Sequence, residues 1–143
     1  MPSSPNHLLA SLSTRDFGLL KPNLRPLILR LRQHLEQPNK PIDVIYFPHS
    51  GFASVVAIQS AKKQVEVGLI GREGMSGLSV ALGNHRSPHA TYIQAAGDGQ
   101  FILAKELRKS MGSSPSLRDS LLKYAQAFGI QTTHTAICNA QSR

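Results

Sequence analysis

Val65-Glu66-Val67-Gly68-Leu69-Ile70-Gly71-Arg72-Glu73-Gly74-Met75-Ser76-Gly77-Leu78, with Arg86-Ser87 following, is the stretch on which the reading of this chain turns. Alternation over 65–70 predicts a half-buried strand. Glycines at 68, 71, 74 and 77 then open a turn, and an apolar segment follows, ending near an arginine. Glycines let other groups approach the backbone closely. Free amides beside a guanidinium form a setting for anions. The run is therefore expected to be an anion cradle at the end of a strand.

Working outward, further strands are expected over Val44 to Phe47, Phe52 to Ile58, Ala90 to Ala95 and Gln100 to Leu103, with Leu27, Leu29 and Leu31 sharing one face earlier. Turn residues punctuate them at 37–41, 48–51, 60–63, 83–88 and 97–99. Short strands at this spacing, without intervening helices, indicate an antiparallel sandwich or barrel rather than a βαβ fold.

The first 24 residues read as short helical pieces, with Ser13 capping a helix, Asp16 three residues later and Pro22 ending it. Ala104 to Met111 reads as a short helix closed by Gly112. Ser114-Pro115 then starts a long one, with a serine cap and proline at the first helical position. Along it Leu117, Leu121, Tyr124, Phe128, Gln131, Thr135 and Cys138 recur at heptad spacing, beside a stripe of Leu122, Ala125, Gly129, Thr132 and Ala136. A helix of about 25 residues is roughly 37 Å long, more than a small sandwich can cover. One stripe is expected on the roll and the other on a second copy. The expected homodimer interface draws on Leu121, Tyr124, Ala125, Phe128, Gly129 and Thr132.

The 143 residues are one domain's worth, and 41% hydrophobic content argues against disorder. Net charge is +8, with +4 in residues 1–40, balance in 41–104 and +4 in 105–143. The basic residues are scattered without an aromatic platform, so a solvated basic surface is expected rather than a nucleic-acid footprint. No apolar stretch approaches 18 residues and no export signal is visible. The single Cys138 cannot form an internal disulfide. A cytoplasmic protein without a membrane partner is the expectation.

The order of elements resembles the effector domain of the Crp/Fnr bacterial transcription regulators. Val44-Ile45-Tyr46-Phe47-Pro48-His49-Ser50-Gly51, the segment from Val65 to Leu82 and Tyr124-Ala125-Gln126-Ala127 carry the resemblance, which spans essentially the whole chain. It implies a mainly β fold with flanking helices: a double-stranded β-helix, or jelly roll, of the cyclic-nucleotide-binding type, followed by a long dimerisation helix. Residues 1–143 would form one domain, with a helical lead-in over 1–25, the roll over 26–104 and the short and long helices over 105–143.

By the same resemblance, a ligand would meet Gly74, Met75, Ser76, Gly77, Leu78, Arg86 and Ser87, with Thr132 on the long helix. Arg86-Ser87 match the arginine and serine that hold a cyclic phosphate in cyclic-AMP-binding members. The glutamate that takes the ribose hydroxyl is unmatched, because Leu78 follows Gly77. A charged hydrogen bond is worth about 1.5–3 kcal/mol, so cyclic AMP is not favoured. A cyclic nucleotide, another small anionic effector, or an empty vestigial pocket all remain open.

No other cofactor is implied: Cys138 is far from any N-terminal cysteine cluster, and His49, His85 and His89 read as loop residues. A cupin-type metalloenzyme lacks its His-X-His pair, and a hydrolase its Gly-X-Ser-X-Gly elbow, so no catalysis is expected. Full-length regulators reach DNA through a helix-turn-helix domain after the long helix. Residues 138–143 fall about where such a domain would begin. A truncated sensor domain and a standalone module are equally compatible with that ending.

Overall fold

The computed structural model describes residues 3–141, with side chains described up to residue 129. Two short helices lead in, α1 (His7–Ala10) and α2 (Thr14–Leu20), followed by a 3-10 turn at Lys21–Asn23. Asn6 caps α1 by accepting from the Leu9 N–H, and Ser13 caps α2 by accepting from the Asp16 N–H, the spacing expected of a capping pair.

Seven strands follow: β1 (Arg25–Leu29), β2 (His34–Glu36), β3 (Val44–Pro48), β4 (Phe52–Ser60), β5 (Lys63–Ile70), β6 (Ala90–Ala95) and β7 (Gly97–Leu103). They form two antiparallel sheets, ordered β1-β7-β3 and β2-β6-β4-β5. The expected strands are all present, within a few residues at their ends. Strand β2 is an addition: three residues with a bulge in their pairing to β6 show too little alternation to stand out in sequence.

Between β5 and β6 lies a single helical turn, α3 (Leu78–Ala81). Gly77 precedes it at φ 73°, and a Cβ there would also strike the Ile45 side chain, so glycine is required on both counts. Two helices close the chain: α4 (Ala104–Ser113) and α5 (Pro115–Gln141). Ser114 Oγ accepts from the Leu117 N–H at 3.2 Å, so α5 begins with the serine cap and proline read from sequence.

The core has two lobes. One joins the lead-in helices to β3, α4 and the start of α5, through Leu9, Leu20, Ile45, Phe47, Leu107, Leu117 and Leu121. The other lies between the sheets and under α5, through Leu29, Val55, Val67, Ile70, Ile93 and Phe128. Leu78 and Tyr124 touch both lobes, so the turn after β5 and the long helix meet where the lobes join.

This packing corrects the expected dimer interface. Leu121, Ala125 and Phe128 are buried within their own chain, each at most 9% exposed, and Tyr124 packs on both lobes. They alternate at 4 and 3 because α5 lies on its own roll; heptad spacing does not distinguish that from a partner helix. Gly129 is exposed. The heptad beyond it, including Thr132, lies outside the residues whose side chains are described. No helix among the described residues is long and apolar enough to cross a membrane.

Candidate functional site

The amides of residues 74–77 do not form the expected anion cradle, because each is already engaged. The Gly74 N–H donates to Gly71 O at 3.1 Å, and Ser76 N–H to Tyr46 O at 3.0 Å. Met75 N–H donates to Tyr124 Oη at 3.3 Å, and Gly77 N–H to Glu36 Oε2 at 2.9 Å. What approaches Gly74 so closely is the Tyr124 phenol, which a Cβ would strike. Gly74 and Gly77 serve packing within the chain.

Met75 is fully buried in the first core lobe. Ser76 Oγ accepts from the Tyr46 N–H at 2.9 Å and pins the turn to β3. Arg86 is exposed, and its guanidinium donates to the Asn39 carbonyl. The reason is local: residues 85–87 pair with 39–42, through Ile42 N–H to His85 O at 2.8 Å and Asn39 N–H to Ser87 O at 2.7 Å. That ribbon carries Arg86 outward and Ser87 inward.

A cavity of about 180 Å³ lies between α3, the four-stranded sheet and α5. Leu78 and Ser87 of the expected ligand set line it, as do Ala125, Phe128 and Gly129 of the expected interface set. Its apolar wall is Val55, Ile70, Leu78, Leu82, Ala125 and Phe128, and its polar groups are Glu36, Ser79, Ser87, His89 and Thr91. Gly74, Met75, Ser76, Gly77 and Arg86 do not line it.

Sequence reading missed Glu36 and His89. Glu36 lies on the overlooked β2, and His89 was placed in a surface loop. Burial holds the His89 imidazole below its ordinary value of 6.5, partly opposed by the charge of Glu36, so the ring is neutral at neutral pH. Its Nδ1 is buried and has no hydrogen-bond partner among the described residues. A larger groove of about 690 Å³ lies between the turn at 49–52, residues 71–74 and α5, lined among others by His49, Phe52, Arg72, Glu73 and Tyr124. It holds only Gly74 of the expected ligand set. The smaller cavity is the better candidate, because Leu78 and Ser87 meet α5 across it.

A two-sheet roll with a helical turn between β5 and β6, closed by a long helix, is the fold of the cyclic-nucleotide-binding domain. Solved structures share it. The N-terminal domain of a transcriptional regulator from Streptomyces coelicolor A3(2) matches with a TM-score of 0.63 and 16% identity, over 93% of this chain and 90% of that one. The c-di-GMP-responsive global regulator CLP of Xanthomonas campestris matches at 0.64 and 15%, over 90% and 62%. The regulatory domain of Toxoplasma gondii PKA, crystallised with cAMP, matches at 0.67 and 18%, over 86% and 46%. The chain thus spans about half to two thirds of the length of the last two. No family model matches the sequence, and no curated protein matches it. At these identities the likeness establishes the fold.

Proposed function

We propose that the chain is a non-catalytic effector-binding domain of a Crp/Fnr-like transcription regulator, acting in the cytoplasm as a homodimer through α5. DNA would be reached through a separate helix-turn-helix domain. The observation that carries this reading is the cavity beneath α3, walled on one side by the roll and on the other by Ala125, Phe128 and Gly129 of α5. An occupant there touches both elements, and differential affinity for two placements of α5 would shift one toward the other.

A thermal-melting screen tests it. A ligand at a hundred times its dissociation constant stabilises by about 2.7 kcal/mol, a readily measured shift. Ala125→Leu, which fills the cavity, should abolish the response. If no small molecule, charged or neutral, moves the melting temperature, the chain is the ligand-free interaction module that a vestigial pocket implies. Two features already weigh against a cyclic phosphate: the amides of 74–77 are engaged, and Arg86 points away from the cavity.

A further inference from the structure

Among the described residues, the cavity beneath α3 is lined by one carboxylate and by neither lysine nor arginine. Glu36 Oε2 is fixed there by the Gly77 N–H at 2.9 Å. Ser87 is committed to its own turn, its Oγ accepting from the His89 N–H at 3.1 Å and donating to the His89 carbonyl at 3.0 Å. His89 lines the cavity too, its Nδ1 buried and without a hydrogen-bond partner among the described residues. The rest of the wall is mostly aliphatic and aromatic. About 180 Å³ is below the size of drug-like pockets but above that of an apolar cavity that admits a benzene ring.

We propose that this cavity takes a small, largely apolar ligand carrying a cationic amine, and rejects phosphates. The ammonium pairs with the Glu36 carboxylate, and the apolar body packs on Val55, Ile70 and Phe128. An ammonium has three donors and no acceptor, which suits a carboxylate that one amide leaves partly unsatisfied. A phosphate would instead bring negative charge against Glu36 with no cation to offset it. The inference rests on reading the cavity as the effector site.

Benzylamine, benzyl alcohol and benzyl phosphate share one ring and differ in the charge of the head, and calorimetric titration with each separates the outcomes. Benzylamine is expected to bind at least about tenfold tighter than benzyl alcohol, the scale of one charge-assisted hydrogen bond, with benzyl phosphate weakest. Glu36→Gln keeps an oxygen acceptor for the Gly77 N–H, so the fold is retained, as an unchanged ligand-free melting temperature would verify. In that variant the preference for the amine should collapse to within about twofold, since the charge-assisted bond is gone. Equal binding of alcohol and amine, tighter binding of the phosphate, or a preference that survives Glu36→Gln overturns the charge selection while leaving an effector site in place. Binding of none of the three overturns both.

Discussion

Single side chains hold the turn after β5 against the rest of the molecule, and Asn6 and Tyr124 contribute most. Asn6 is fully buried; its Nδ2 donates to Pro48 O at 2.9 Å and Gly74 O at 2.8 Å, while its Oδ1 caps α1. Asn6→Ala strips partners from two buried carbonyls and one amide, so a loss on the order of 3 kcal/mol in urea unfolding is expected. Tyr124 stacks its ring beside Gly74 and takes the Met75 N–H on its hydroxyl. Gly74→Ala would drive a methyl into that phenol, and overpacking of this kind costs about 1–3 kcal/mol. Burial raises the Tyr124 phenol to about 12 from an ordinary value of 10.0; the Met75 amide pulls the other way and Glu73 adds to the rise. The sign follows from the raised value. The neutral phenol favours the folded chain, and that contribution is complete below pH 10 and lost as pH rises toward about 12. Alkaline melting of Tyr124→Phe should therefore decline less steeply across that window than the parent's, even though the variant starts less stable.

At the scale of elements, the start of α5 is tied to the lead-in by a carboxylate. Asp16, only 2% exposed, accepts from Ser114 Oγ at 2.7 Å and from Ser116 Oγ at 2.6 Å. Burial pushes its pKa up, but the hydrogen bonds from Ser116, Ser114 and Ser13, with the charge of Arg15, outweigh that, and the net is below the ordinary 3.8. The stabilisation is therefore complete above pH about 4 and is lost as pH falls through the lowered folded value. Asp16→Asn should flatten the acid limb of a melting-temperature profile below about pH 4; an unchanged limb would mean that the α2–α5 junction opens without cost. Asp16 also marks where the sequence stops being legible. Its N-terminal role in α2 follows from spacing to Ser13, but its partners lie about a hundred residues away. Strands β3 to β7 could be read because alternation and turn residues repeat along them. The three residues of β2 and the four of α3 are too short for any period, and the candidate site is built on those two. Arg86 and Ser87 are adjacent in sequence, yet the ribbon with 39–42 sends one outward and the other into the cavity. A motif records neighbours and not directions, which is why Ser87 lines the site and Arg86 does not.

At the scale of the whole molecule the open matter is what α5 does once its inner face is spent. Leu117, Leu121, Ala125 and Phe128 pack on the chain's own core, so Phe128→Asp would bury a charge and unfold the domain rather than report on a partner. A second copy has to use the other side, where Lys123 and Gln126 are exposed and Leu122 is half-buried; Gly129 is exposed at its edge, where it also borders the cavity. Gly129 offers a cleaner test. A Cβ at that position meets nothing within 4 Å among the described residues, so a side chain can begin there without a clash, although a leucine also borders the cavity that Gly129 lines. Glycine also costs about 1 kcal/mol relative to alanine within a helix, so Gly129→Leu should raise the melting temperature of an isolated chain. In a dimer whose helices approach closely at Gly129, the same leucine would force them apart. Light scattering at tens of micromolar is therefore expected to give twice the chain mass for the parent and a mass shifted toward one chain for Gly129→Leu, with helical circular dichroism undiminished. A dimer that tolerates the leucine would move the contact elsewhere on α5. A parent that is monomeric at that concentration would leave α5 as a lid on its own cavity, and effector binding would then have to act on the helix within one chain.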